Sequence, residues 1–324
     1  MTTNINRDKG ISTLPNSSFN TTKETPQFIT PDEARDIFSF KVEKEQSYRP
    51  NGTAIDGQYH LIRKDGLDDE GIVIGASGVG RQFDVDIQPS HVLDFFLDQI
   101  LPEMSDLHIE TVAAVRNGAI TMANFHFGGA YSIPNDTSEQ YTNIVFVNPL
   151  TTGRMQILSH NLRVSCCNTI AGLPGHGGVG FRVSHTKSSK VLVDHALKAI
   201  QAKLTEAERL KQSFIALANV SCTKKNIENI LNEIYPCKRG PMEDELTGQA
   251  RRAREEAVAR LETDSTFTDK TGWAFLNAMT YPLEHAKETA KRSAINVASD
   301  NLFGVRADKK SKMLAACLKE FGIA

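Results

Sequence analysis

"HIETVAAVRNGAITMANFHF", His108 to Phe127, decides the fold class. Two β-prone runs flank Asn117-Gly118, and an Asn-Gly pair supplies the positive φ values of a type I′ turn. The stretch therefore predicts a β-hairpin. Downstream, "TNIVFVN" (142–148), "RMQILSHNLRVSCCNTI" (154–170) and "VGFRVSHT" (179–186) all read as strands. Upstream, "QYHLIRKDG" (58–66) and "GIVIGASG" (71–78) are short β-prone runs around the charged turn "KDGLDDEG". "SHVLDFFLDQIL" (90–101) reads as a helix, with Ser90 as its cap and Val92, Leu93, Phe96 and Ile100 near helical spacing. The first half is thus ββα followed by a run of strands, an α+β pattern.

The second half is helical. From Lys187 to Asn219, Leu192, Ala196, Ile200, Leu204, Ala207, Leu210, Phe214 and Leu217 recur in steps of three and four, one stripe on a long helix. "TKKNIENILNEIYP" (223–236) predicts a second amphipathic helix stopped by Pro236, and "GQARRAREEAVARLE" (248–262) a charged, solvent-facing one. "TGWAFLNAMTYPLEHA" (271–286) opens a helical C-terminal section. Gly304 is the expected C-cap, and "KKSKMLAACLKEF" (309–321) the last helix. Residues 1–54 read as a variable, partly disordered arm, because "NSSFNTTKETPQ" (16–27) is polar and lacks periodicity. Within it, "TPDEARDIFSF" (30–40) carries the marks of a short helix: Thr30 as cap, Pro31 in the first turn, then Asp32 and Glu33. The expected fold is α+β: an antiparallel β-rich core (55–190) with one early helix, then a long helix and a helical C-terminal region (191–324) packed on the core.

Composition excludes several classes. The chain has 324 residues, 40% hydrophobic and 23% charged, ordinary for a globular protein. No run approaches the ~18 apolar residues of a membrane helix. The N-terminus has no apolar core for a secretory signal. Five cysteines, few and odd in number, do not suggest a disulfide framework, so a reduced, cytoplasmic protein is expected. The net charge of −2 hides an asymmetry: residues 1–149 carry 11 Lys+Arg and 21 Asp+Glu, whereas 150–215 carry 9 and 3. A basic middle segment suits a polyanion, although lysine-rich helix faces are common.

Several motifs suggest chemistry and then fall short of it. His160, Cys166, Cys167, His176 and His185 are possible zinc ligands, yet adjacent cysteines on a strand point to opposite faces and lack the usual C-x₂₋₄-C spacing. A thiol nucleophile would need His160 or His185 as base, and buried cysteines are commoner than reactive ones. "GIVIGASGVGRQF" (71–83) superficially resembles a phosphate loop but ends in Arg81-Gln82 rather than G-K-[ST]; its glycines fit a hairpin or bulge better. Asp84 and Asp86 share a strand face without identifiable further ligands for Mg²⁺. No catalytic residue, metal or cofactor is therefore assigned.

The basic constellation differs in kind. Arg154, Arg163, Arg182, His185, Lys187 and Lys190 lie in one β-rich stretch that runs into the long helix, with Asn168 among them. Arginine with asparagine and serine suits the phosphate and sugar contacts that dominate nucleic-acid affinity. Phe125, Phe127, Tyr131, Tyr141, Phe146 and Phe181 are the candidate base-stacking aromatics, with a core role as the competing reading.

These motifs together resemble a prokaryotic phage/plasmid-like family, domain of unknown function 932. "NIVFVNPLTTGRMQILSHNLRVSCCNTI", then "VGFRVSHT" and a long helix, are similar to its core pattern, with Asn148, Arg163, Cys166, Asn168, His185 and Thr186 on matching positions. "YHLIRKDG", "GVGRQFDVDIQPSHVLDFF" and the C-terminal segments with Trp273 and Asn277 extend the resemblance over roughly residues 55–321. The chain departs from the pattern where Pro149-Leu150-Thr151 replaces Ser-His-Asp, at Cys167 in place of Gln, and at Ser184 in place of Arg. The resemblance implies a setting on phages and plasmids among recombination genes, rather than a chemistry. A likeness to single-strand annealing proteins of the RecT and Erf type is analogy at fold level. The expectation is a non-enzymatic protein of a mobile element that binds or anneals single-stranded DNA, with the long helix supporting a homo-oligomer. The alternative is an interaction protein whose acidic first half mimics DNA to engage a host defence or replication factor.

Overall fold

The computed structural model describes residues 4–6, 11–13, 28–66, 70–83, 88–115, 117–151, 155–163, 168–171, 182–183, 193–236, 248–284 and 305–323. The fold is α+β. The larger sheet has strand order β1-β2-β6-β7-β8-β9-β10, with β11 also pairing β9; β3-β4-β5 form a second sheet. Its strands are β1 (Asn4–Asn6), β2 (Ile11–Thr13), β6 (Leu107–Val115), β7 (Ile120–Ser132), β8 (Glu139–Pro149), β9 (Met155–Arg163), β10 (Asn168–Ala171) and β11 (Arg182–Val183). The deciding hairpin is β6–β7. Asn117 and Gly118 take φ of 59° and 92°, the left-handed pair the turn demands. The chain divides into two compact units.

The first unit comprises Met1–Gly128, Asn143–Leu158 and Gly178–Leu204. It holds α1 (Pro31–Ile37), capped as expected: Glu33 N donates to Thr30 Oγ1, and Thr30 N donates back to Glu33 Oε2. The neighbouring residues are not a loose arm. Ala34, Ile37, Phe38, Phe40 and Val42 are buried in the core, because the amphipathic pattern continues from α1 into β3 (Lys41–Tyr48). β4 (Ala54–Lys64) and β5 (Ile72–Gly80) complete the small sheet. Their register steps from Tyr59↔Val79 to Leu61↔Ile74, so β5 carries three residues more than β4 there. The glycine-containing run is an irregularity in a strand, as the spacing suggested.

The next helix, α2, spans Pro89–Phe95 and continues as a π turn (Phe96–Ile100) and a 3₁₀ turn (Leu101–Glu103). Its cap is not Ser90. Pro89 occupies the first turn, where its missing N–H costs nothing, and the chain enters through Gln88. The Gln88 carboxamide is used elsewhere: it accepts from Val42 N at 2.8 Å and donates to Val42 O at 2.9 Å. Phe96 packs against Phe125 and Phe146 at ring-centroid distances of 5.8 and 4.6 Å.

The second unit comprises Gly129–Thr142, Ser159–Gly177 and Thr205–Ala324. The long helix α3 (Val193–Ala218) contributes its C-terminal part, with α4 (Lys224–Ile234), α5 (Gly248–Thr263), α6 (Gly272–Glu284) and α7 (Val305–Glu320). Thr223 and Asn226 form a capping box on α4, and the Asn226 amide also donates to Glu320 Oε1 on α7. Trp273, wholly buried, packs 4.6 Å from Phe214 between ring centroids. α5 is largely solvent-facing as expected, but Ala257 and Leu261 are buried. Gly304, the expected cap, lies outside the described residues.

Candidate nucleic-acid interface

The stretch 154–170 is not one strand. β9 ends at Arg163 and β10 begins at Asn168, and the two pair antiparallel: Arg163↔Asn168, Thr169↔Leu162, Ile170↔Asn161, Ala171↔His160. The hairpin brings Arg163 opposite Asn168 in the second unit, where α6 and α7 pack on β10. Arg182 belongs to the first unit, where β11 pairs with β9 and Arg182 stands opposite Gln156. Arg154, Cys166, Cys167, His176, His185, Lys187 and Lys190 lie outside the described residues, as do Asp84, Asp86 and Phe181.

Three of the six candidate aromatics are core. Phe125, Phe146 and Tyr141 are buried, which closes them to base stacking; Phe127 and Tyr131 are half-buried. Tyr131 is tied to the hairpin instead. Its hydroxyl donates to Asn161 Oδ1, and Lys211 Nζ lies 4.8 Å from its ring centroid. Burial, with the Glu208 carboxylate nearby, pushes the Tyr131 pKa up, so the hydroxyl keeps its proton.

Asn161 is one link in a longer relay that sequence reading did not find. Its Nδ2 donates to Gln140 Oε1 at 3.1 Å, and Gln140 Nε2 donates to Asp136 Oδ2 at 3.2 Å. The same Asp136 oxygen accepts from Trp273 Nε1 at 2.9 Å, while Asp136 Oδ1 accepts from Ser138 N at 2.9 Å. Gln140 and Asn161 are buried. Trp273 and Asn277, positions shared with the resembled family, are buried too, and Asn277 Nδ2 donates back to Trp273 O at 3.0 Å.

His160, considered above as a metal ligand or base, is buried, and neither ring nitrogen meets a hydrogen-bond partner among the described residues. Burial, then repulsion from Lys310, pushes its pKa down to about 3, so the ring is neutral near pH 7. Among the described residues no group of three or more His, Cys, Asp or Glu is placed to hold a metal ion. Cys222 and Cys317 are buried free thiols. Burial raises both pKa values, that of Cys222 to about 12, which opposes thiolate chemistry. Among the described residues no helix is long and apolar enough to cross a membrane.

A family model described as "Domain of unknown function (DUF932)" matches residues 77–316. That span contains β6–β11, the hairpin and the whole relay. No curated protein and no solved structure matches the chain.

Proposed function

Since the chain belongs to the family described as domain of unknown function DUF932, we propose a function from its own residues. The protein binds single-stranded nucleic acid, without catalysing a reaction on it, as a cytoplasmic component of a mobile element. The observation that supports this most is the pairing of Arg163 with Asn168 across the β9–β10 hairpin. Arginine and asparagine are residue types that contact phosphate and the sugar or base beside it, and the backbone register sets these two positions opposite one another. Arg182, and the basic positions Arg154, His185, Lys187 and Lys190, supply further positive charge within the segment of balance +6.

The test is filter binding of a labelled oligo-dT at two salt concentrations, with wild type, Arg163→Ala and Arg182→Ala. The expected result is binding at low salt that weakens as salt rises. Each substitution lowers the log–log salt slope by about 0.7, one single-strand phosphate contact. No binding at low salt, or binding unchanged by both substitutions, overturns the reading and leaves a protein partner as the alternative.

A further inference from the structure

Phe28 is a large apolar side chain that the fold leaves 48% exposed, yet its surroundings hold it in place. Its neighbour fixes the backbone: Ile29 N donates to Ile109 O at 2.9 Å, beyond the Ala113 and Ala114 positions where β2 pairs with β6. Ile29 packs against the first unit's core, and Phe28 lies outside it. The Phe28 ring is nearly parallel to the His108 imidazole, with centroids 4.6 Å apart and planes at 23°, and it lies 5.5 Å from the His126 ring. His108 and His126 are cross-strand partners on β6 and β7, so the two imidazoles form one floor beneath Phe28. Polar side chains brace that floor from the next rung. Glu110, the extra residue where the β6–β7 register shifts, accepts through Oε2 from Asn124 Nδ2 at 2.6 Å and from Asn143 Nδ2. These bonds tie β6, β7 and β8 together through buried side chains.

We propose that the Phe28 ring, stacked on His108, is a platform for one unpaired base of single-stranded nucleic acid, with His108 as its positioning residue. This rests on the nucleic-acid reading above and adds what that reading lacks, a place for a base. Phe125, Tyr141 and Phe146 are in the core, and a buried ring has no face to offer. Phe28 rests on an imidazole and still keeps about half its surface open to solvent. A base extends the stack that the imidazole begins, because a flat heteroaromatic ring already lies against Phe28 in the offset, near-parallel way that aromatic groups prefer. A ring held by Ile29 and His108 also loses little freedom when a base arrives. Every base has a π face, so the contact is indifferent to sequence. Stacking neutralises no phosphate, so it adds affinity without adding to the salt dependence.

The experiment titrates the full chain with oligo-dT and with an abasic oligomer of equal length, at two salt concentrations. Phe28→Leu keeps apolar bulk and removes the ring. It is expected to weaken oligo-dT binding about tenfold while leaving the log–log salt slope unchanged. His108→Ala is expected to weaken binding as well, and His108→Phe to restore it, because the platform requires an aromatic floor. Phe28→Trp keeps a stacking ring and adds an exposed reporter to a chain whose single tryptophan, Trp273, is wholly buried. Its emission is expected to be quenched by oligo-dT and not by the abasic oligomer. Should Phe28→Leu lose its cooperative melt, the quenching of Phe28→Trp decides by itself. Wild-type affinity in Phe28→Leu, a salt slope lowered by about 0.7, or equal quenching by both oligomers overturns this inference alone. A His108→Phe variant as weak as His108→Ala overturns the role of His108. A wild type that binds neither oligomer overturns the nucleic-acid reading and this inference with it.

Discussion

Gly71 combines two constraints that usually occur apart. Its φ is +85°, and a Cβ there would lie 2.3 Å from Ile62 Cγ2 and 2.9 Å from the Arg63 carbonyl oxygen. Backbone cannot move aside as a side chain can. Gly71→Ala is expected to cost on the order of 2–4 kcal/mol in urea denaturation, joining left-handed strain to overpacking. Gly52→Ala, at φ +80° with nothing within 4 Å, is expected to lose only about 1–2 kcal/mol. His160 makes a different statement. It is a base whose folded pKa, about 3, lies below its ordinary value of 6.5. Between those values the unfolded chain binds the extra proton, so its contribution to stability is intact above pH 6.5 and declines as pH falls toward 3. The slope from this one ring approaches ~1.4 kcal/mol per pH unit within that window. His160→Gln removes the titration. The difference in stability between wild type and variant, measured at pH 7 and pH 5, is expected to shift against the wild type at the lower pH, and a constant difference would refute the assignment.

At the level of elements, the parts of the fold legible in the sequence are those that carry their own punctuation. Asn117-Gly118 announces its hairpin, and Thr30-Pro31 with Glu33 announces α1. Thr30→Ala is expected to cost about 1 kcal/mol, and Thr223→Ala about the same at α4. Asn226→Ala should exceed Thr223→Ala, because the Asn226 amide serves both the cap and Glu320 on α7; a thermal-melt series of the three variants checks the order. The hairpin between β9 and β10 was hidden for the opposite reason. Arg163 to Asn168 contains no Gly, Pro or Asn-Gly, and its Val and Cys residues look like more strand. The relay was invisible because it is long-range: Asp136 and Trp273 are 137 positions apart, and nothing local to either specifies the other. The identity of Arg163 and Asn168 as candidate contacts could be read from residue type, but their pairing could not.

For the whole molecule, the important fact is that both compact units are assembled from three separate stretches of chain. Ile133 packs in the second unit's core, Asn135 Nδ2 donates to Ala218 O, and Thr137 N donates to Thr266 O. A fragment 191–324 retains the helices but lacks all three, along with Asp136 beneath Trp273. It is expected to keep helical circular dichroism while showing poor amide dispersion by NMR and no cooperative melt, because a buried Trp and its apolar neighbours lose one wall. A sharp, cooperative transition for that fragment would contradict this. The interleaving also sets a timetable on the ribosome. Residues 129–142 emerge early, yet the helix that completes their unit ends at Glu320. At about 5–20 residues per second, the β7–β8 connection waits roughly ten to forty seconds for its partners. During that interval Ile133 lacks the neighbours that α6 and α7 supply, so the second unit's core stays incomplete until α7 has emerged.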